Sequence, residues 1–420
     1  MFKSFYIQKI EFLGYALLML SFFLPIKINS VSIIILALIT GYKLVKKHQQ
    51  FKGYAGLWSF PLLFVVLLFG MLYTADLKEG WAIIERHLGL LVAPVIVISI
   101  TQFTLKQKQL LLDVFIAMAV LVGLYCLGAA TLHYINTGTV YTPTQKDHFV
   151  YNHFMHQRLT APVHLHAIYY TFYLAVANVA ILNQLISQNS FISKTRKFIF
   201  SIVFLFFCVL IFLLKSSLFA FIFPVGCLLL VFLKFRKKIT SSLKLKLLIV
   251  GVVLISAVYM YQGVKTKIET FSISYDLSDN HLKPLATRLA MWECSLEVIK
   301  NNWAFGVGTG DGRNETLEKY EQMEFNIGLD GKFNSHNMYL QYWLSNGILT
   351  LLLFLGILVF LFVKAIKSKN MVFFSFILFF SFFCITESAM LRQKGIVFFV
   401  FMSAMFYWCP TLWNFQIKEK

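Results

Sequence analysis

Leu285-Ala286-Thr287-Arg288-Leu289-Ala290-Met291-Trp292, then Gly306-Val307-Gly308-Thr309-Gly310-Asp311-Gly312, then Asn334-Ser335-His336-Asn337, mark the one long polar stretch of this chain, Pro284 to Gln341. The apolar run that follows, Met338 to Phe362, decides the fold. It is longer than the ~20 apolar residues that cross about 30 Å of hydrocarbon. Similar runs recur on both sides of the polar stretch. With 420 residues, 58% of them hydrophobic, the chain is too apolar for a soluble globule and reads as an all-α integral membrane protein.

Working outward, we read about twelve spans, at 11–26, 29–45, 57–74, 81–101, 109–133, 164–187, 198–214, 217–233, 244–262, 338–363, 371–389 and 394–413. Residues 1–262 are then nine transmembrane helices, 263–337 one large extracytoplasmic loop carrying amphipathic helices, and 338–420 three more helices with a cytoplasmic tail. The formal net charge of +19 suggests nucleic acid in a soluble protein. Here the lysines and arginines lie in short clusters between apolar runs, so they report topology and no nucleic-acid partner is expected. Alternate connections hold Lys43/Lys46/Lys47/Lys52, Lys106/Lys108, Lys194/Arg196/Lys197, Lys234/Arg236/Lys237/Lys238 and Lys364/Lys367/Lys369 with almost no acid. These are the cytoplasmic connections, together with both termini. The stretches 134–163 and 263–337 mix both signs and fall outside. The first apolar run lacks a small-residue cleavage site and reads as a retained helix. Pro25, Pro61, Pro94, Pro162 and Pro224 lie in or beside spans, where they kink or start helices. Five of the six cysteines fall in apolar runs, and no disulfide framework or paired-cysteine metal motif emerges.

A helix from Leu285 to Asn301 places Leu285, Leu289, Trp292, Leu296 and Ile299 on one apolar stripe with Arg288 at its edge. A guanidinium there suits a phosphate, since its planar fork binds two oxygens and keeps its charge. An arginine snorkelling at an interface gives the same pattern. Gly306 to Gly312 resembles a phosphate loop in composition, but follows a helix and lacks the Gly-Lys-Ser/Thr ending, so a helix stop with tight turns competes. His336 follows the capping types Asn334 and Ser335 at the mouth of the next helix. The helix dipole there disfavours imidazolium and leaves a ring able to accept a proton, while a bound anion acts the other way. An interface anchor or cap is the plainer reading. Glu85-Arg86-His87 interrupts one span, and Glu387 and Arg392 flank the gap between the last two. Ionisable groups at such depth need partners or water, so Glu85 and Arg86 are each expected to meet a partner on another helix. His133, His148, His153, His156, His164 and His166 cluster around the loop 134–163. His153 with His156, or His164 with His166, can share a metal, but nothing completes a tetrahedral set and no metal is assigned. Arg158 in the same loop is a second candidate phosphate contact.

Taken together, Arg288-Leu289 with Trp292, Gly306-Val307-Gly308-Thr309-Gly310, Ser335-His336-Asn337 with Leu340, and Gly347-Ile348 resemble the signature of the bacterial O-antigen ligase and polymerase superfamily, polytopic membrane glycosyltransferases with a GT-C-like helical fold. Glu85-Arg86 and the stretch Glu387 to Gly395 have the same look. The resemblance implies an inverting, metal-independent transferase without a cofactor, in the bacterial inner membrane with a periplasmic site. Its donor is a glycan on undecaprenyl diphosphate and its acceptor, in the ligase case, a lipid A-core sugar. By the same resemblance Arg288 binds the donor diphosphate, and His336 either deprotonates the acceptor hydroxyl or steadies the leaving diphosphate. Lys215, Arg158 and Arg86 are further diphosphate contacts, and Glu85, Trp292, Asn337, Tyr339, Glu387 and Arg392 support them. There is one departure. Where such proteins often carry a Ser-Arg pair opening a helix, this chain reads Lys215-Ser216-Ser217-Leu218, so Lys215 supplies charge without the bidentate fork. A polymerase, a protein O-glycosylating relative, a multispanning transporter and a structural subunit are the competing readings. The transporter predicts internal repeats and polar groups at the midplane of several helices, whereas the polar residues here gather at one side.

Overall fold

The computed structural model describes residues 2–46, 57–143, 150–187, 193–235, 277 and 284–413. The expected span 244–262, the loop positions 263–276 and 278–283, and His148 lie outside the described residues. Among the described residues the regular structure is helical except for a two-stranded ribbon, β1 (Tyr141–Pro143) paired antiparallel with β2 (Val150–Asn152). In order the helices are α1 (Phe2–Ser21), α2 (Ile26–Val45), α3 (Ser59–Phe69), α4 (Leu77–His87), α5 (Gly89–Ile96), α6 (Leu105–Thr137), α7 (His156–Thr160), α8 (Ala167–Leu185), α9 (Lys194–Leu213) and α10 (Ser217–Phe235). There follow α11 (Pro284–Asn302), α12 (Gly312–Gln322), α13 (Asn326–Asp330), α14 (Met338–Lys367), α15 (Met371–Thr386) and α16 (Gln393–Trp408).

Among the described residues six helices are long and apolar enough to cross a membrane, and three shorter apolar helices accompany them. The protein is thus a multi-pass helical membrane protein. Several starts are fixed by side chains that take up orphan amides at a helix end. Thr104 and Gln107 form a reciprocal capping box at α6, and Asn337 and Asn370 accept the first amides of α14 and α15.

α8 is buried along nearly its whole length, which makes it the axle of the bundle. Around it aromatic rings interlock. Phe172 contacts Phe376 and Phe398, and Phe380 stacks on Phe399 with centroids 3.9 Å apart. Outward-facing positions of α2, α9 and α14, such as Leu38, Leu205 and Val359, are apolar and exposed, as a lipid-facing surface requires. Contacts sort the connections onto two ends. At one end Lys43 pairs with Glu11 and reaches Gln102, Lys108 reaches Thr411, Arg196 pairs with Asp113, and Asn370 bonds to Pro410 and Leu412. At the other end Arg86 reaches Leu391, Tyr73 bonds to Phe305, and Gln393 bonds to Ser30. The polar stretch 284–337 belongs to this second end.

The expected helix over 285–301 is α11. Of its apolar stripe Ile299 is buried, Leu289 and Trp292 are half-buried, and Leu285 and Leu296 are exposed. α11 packs on α12 through Ala290, Met291 and Cys294, and on α14 through Val298 and Ile299. One expectation is corrected, for Glu85 and Arg86. Glu85 is exposed, and Arg86 finds its carboxylate in its own helix, on Glu79 two turns earlier at 3.1 Å, meeting another element through the Leu391 carbonyl.

Candidate functional site

The site is assembled from helix ends. α14 starts at Asn337, whose side chain accepts the amides of Tyr339 and Leu340, so Asn337 and not Asn334 or Ser335 is the cap. The two preceding residues serve another purpose. Asn334 Oδ1 accepts the His336 amide at 2.9 Å and the Ser388 hydroxyl at 3.2 Å. Ser335 Oγ sits 3.0 Å from Gln341 Oε1 and 3.3 Å from Ser388 Oγ. These contacts tie the segment before α14 to the connection between α15 and α16. They hold His336 at φ +42°, a left-handed conformation that costs a non-glycine residue of order 1–3 kcal/mol and persists only where the surroundings enforce it.

Held so, His336 places Nδ1 3.3 Å from Glu387 Oε2, at the end of α15. Arg288, from α11, places a guanidinium nitrogen 3.8 Å from Glu387 Oε1. Two residues nearly fifty positions apart therefore meet on one carboxylate. The Arg288 Nε is buried without a hydrogen-bond partner among the described residues, so the fork has donors to spare. Burial pushes the Glu387 carboxyl up, but the His336 hydrogen bond and the charges of His336, Arg288 and His166 outweigh it and hold the group below the ordinary carboxylate range. Glu387 is therefore an anion here. A neutral ring that donates its Nδ1 proton to this carboxylate has its Nε2 lone pair left for another partner.

Two more histidines lie within electrostatic reach. Burial lowers the pKa of His156, and the nearby positive charges of Lys215 and Arg288 lower it further against Glu387. His166 is lowered by burial, opposed by Glu387 and reinforced by Arg392, His156 and His336. Lys215 sits at the turn between α9 and α10 with φ +49°. Its charge and that of Arg288 thus fall on one imidazole.

Beside His336 lies a cavity of about 540 Å³ lined by Arg86, Arg313, Lys332 and Arg392, with Glu79 as its acid. A second cavity of about 410 Å³ shares Arg86, Leu391 and Arg392 with it and adds His164, His166 and Lys394. The glycine turn forms one wall of the larger cavity but is no phosphate loop. Its amides are already used: Val307 and Gly308 donate to the carbonyls of Leu344 and Ser345, and Gly310 to the Thr74 hydroxyl. Those carbonyls are free because α14 is broken at Gly347, φ +76°. A Cβ at Gly347 would strike the Ala304 carbonyl, and one at Gly306 the backbone of Ser345 and Asn346. The Asp311 carboxylate accepts the amides of Ala75 and Asp76 at 2.7 Å each. The turn is a clasp holding the start of α4, and so Arg86, against α14.

Arg288, Lys215, His336, Glu387, Arg86 and Arg392 thus gather at one end of the bundle. Arg158 does not line either cavity; it lies by His153, whose ring stacks on His133 at 3.7 Å. Trp292 packs beside a small cluster of Ala290, Met291 and Tyr320, and the Tyr339 hydroxyl donates to the Ser381 carbonyl; neither lines these cavities. Sequence reading did not single out Arg313, Lys332, Lys394 or Ser388, and it took His156 and His166 only as metal candidates. Lys394 carried a signal, as a lysine in the first turn of an otherwise apolar helix.

Residues 200–355 match the family model described as O-Antigen ligase. The matched segment runs from α9 to the middle of α14 and contains Lys215, Arg288, the glycine turn and His336. None of the curated proteins compared matches the chain.

Proposed function

We propose that this chain, whose residues 200–355 match the O-Antigen ligase family model, is an inverting, metal-independent ligase-type glycosyltransferase at the periplasmic face of the bacterial inner membrane. It moves a glycan from undecaprenyl diphosphate to a lipid A-core or related acceptor. Residues 1–262 and 338–420 form the membrane body with both termini cytoplasmic, and 263–337 the periplasmic loop. The observation that carries this reading is the meeting of Arg288 and His336 on Glu387.

The chemistry follows from that geometry. The acceptor oxygen attacks the anomeric carbon of the donor sugar from the face opposite the diphosphate. The new C–O bond forms, the bond to the diphosphate oxygen breaks with its electron pair, and configuration inverts. His336 Nε2 takes the acceptor proton, and ionised Glu387 stabilises the imidazolium that results. Negative charge growing on the lipid diphosphate is met by Arg288, as a two-pronged donor, and by Lys215 as a point charge. Preorganised cations in a half-buried site act without the reorganisation that water requires. Both substrates are lipids and reach such a site by lateral diffusion.

A polymerase differs in its acceptor, a second lipid-linked glycan. A deletion strain separates the two when its surface polysaccharide and its lipid-linked pool are run side by side. Loss of a ligase leaves long glycan on the carrier and bare lipid A-core; loss of a polymerase leaves single repeat units. Single repeats would displace the ligase reading, and complementation by Arg288→Ala or His336→Ala at wild-type level would remove the site.

A further inference from the structure

The cavity of about 540 Å³ beside His336 sets four permanent cations, Arg86, Arg313, Lys332 and Arg392, against a single carboxylate, Glu79. That carboxylate already pairs with Arg86 at 3.1 Å. Arg313 donates one guanidinium nitrogen to the Lys332 carbonyl at 3.2 Å, which ties α12 to the turn after α13 and leaves the rest of its fork without a partner among the described residues. No ion pair forms on Arg313, Lys332 or Arg392 among the described residues. Three cations therefore wall one cavity with no protein anion between them. A cleft lined by one sign of charge focuses its field and concentrates ligands of the opposite sign.

The rest of the wall says what carries the opposite charge. The cations come from four places in the fold: Arg86 from α4, Arg313 from α12, Lys332 from the turn after α13, and Arg392 from the residue before α16. Charges supplied in this way suit anions spaced along an extended ligand better than one compact anion. Asn334, Gln341 and Ser345 stand between them, with Phe333, whose ring meets His336 edge to face at 5.9 Å. Amides and hydroxyls pair with sugar hydroxyls, and an aromatic ring covers the C–H face of a pyranose. His336 lines this cavity, whereas Arg288, Lys215 and Glu387 do not. In an inverting displacement the acceptor approaches opposite the leaving diphosphate, so a glycan that reaches His336 from this side is the acceptor.

We infer that this cavity selects an acidic acceptor glycan, whose sugar carboxylates lie between Arg313, Lys332 and Arg392 while the hydroxyl to be glycosylated lies at His336. The word acceptor rests on the transferase reading; the preference for an anionic over a neutral sugar does not. The inference narrows the lipid A-core or related acceptor to one that carries acidic sugars close to its reacting hydroxyl. It also divides the cations by task. Arg288 and Lys215 meet the diphosphate common to every donor, and Arg313 and Lys332 discriminate among acceptors.

The test is equilibrium binding to the full-length chain in lipid nanodiscs, with trigalacturonic acid, its trimethyl ester and farnesyl diphosphate as probes. The acid and the ester share one sugar backbone and differ in charge. The acid should bind at least about tenfold more tightly than the ester, as expected for hydrogen bonds to charged groups, and its advantage should shrink as salt rises. Arg313→Gln with Lys332→Gln should lower binding of the acid by about tenfold while leaving the ester and farnesyl diphosphate unmoved. Arg313→Lys with Lys332→Arg should restore the preference, which separates lost charge from lost folding. No measurable binding of the acid, or equal binding of acid and ester, would overturn the proposal. So would a Gln double variant that keeps the wild-type preference, or loss of the acid in Arg288→Ala alone, which would place it in the diphosphate site. Because binding is read without turnover, a chain that transfers no sugar would refute the transferase reading and leave the acid preference standing. A chain that transfers to neutral and acidic acceptors alike would refute this inference alone.

Discussion

The two ends of the bundle treat charge in opposite ways. At the closed end Lys43 is buried against Glu11 at 2.9 Å, with Gln102 as a further partner, and Arg196 grips Asp113 through both guanidinium prongs. At the open end Arg288 meets its carboxylate at 3.8 Å, and its Nε and the Nζ of Lys394 are buried with no hydrogen-bond partner among the described residues. Backbone strain does not separate the ends: His156, His164, Lys215 and His336 adopt positive φ near the open end, and Lys369 and Trp413 do so at the closed one. A closed end satisfies its ions and gains stability and register; an open end leaves cations unsatisfied, which makes sense only if something else completes them.

The difference can be broken or sharpened by substitution. The largest effect is expected from His336→Ala: loss of the base should lower transfer by about 10²–10⁴-fold, with membrane insertion unchanged. Arg288→Ala comes next, about 10²–10³-fold, the usual loss for one preorganised donor at a developing charge. Arg288→Lys should recover only part of it, because an ammonium lacks the fork. Glu387→Gln should cost about 10–100-fold, the typical effect of removing a group that orients another, and it should act on kcat more than on donor binding.

Glu387 also gives a stability test with a defined sign. Its folded pKa lies below the ordinary value, so it stabilises the native state at pH above the unfolded carboxylate pKa, and this contribution is lost as pH falls through the folded pKa. The Tm gap between wild type and Glu387→Gln in detergent should therefore be full at neutral pH and close in acid. A gap that widens in acid would mean that the carboxylate is not the stabilised form. The smallest effect on activity belongs to the closed end. Lys43→Met should lower stability by about 3–5 kcal/mol through the stranded Glu11 while leaving the KM for donor unchanged, and adding Glu11→Leu should restore most of the loss.

Much of this was legible in the sequence, and for physical reasons. Apolar runs mark helices plainly, and eleven of the twelve expected stretches coincide with helices here, the twelfth lying outside the described residues. Arg288 and His336 stood out because a polar stretch is rare in such a chain. The buried face of α11 was not legible because hydrophobicity marks two surfaces in a membrane protein, one toward the protein and one toward lipid, and here Ala290, Met291, Cys294, Val298 and Ile299 mark the former. The partner of Arg86 was misjudged because Glu79 lies two helical turns away, beyond the usual one-turn neighbours. Arg313, Lys332 and Lys394 become cavity walls only through long-range packing, which no local pattern encodes. The role of Glu387 as the shared partner needed both the end of α15 and the segment before α14 in place.

The most direct test of the shared carboxylate is a single-turnover assay on purified His336→Ala in nanodiscs, with donor binding measured on the same sample. The account predicts that undecaprenyl diphosphate-linked glycan binds within about threefold of wild type, a small change next to the 10²–10⁴-fold loss expected in transfer. Transfer by this variant at the wild-type rate would contradict it.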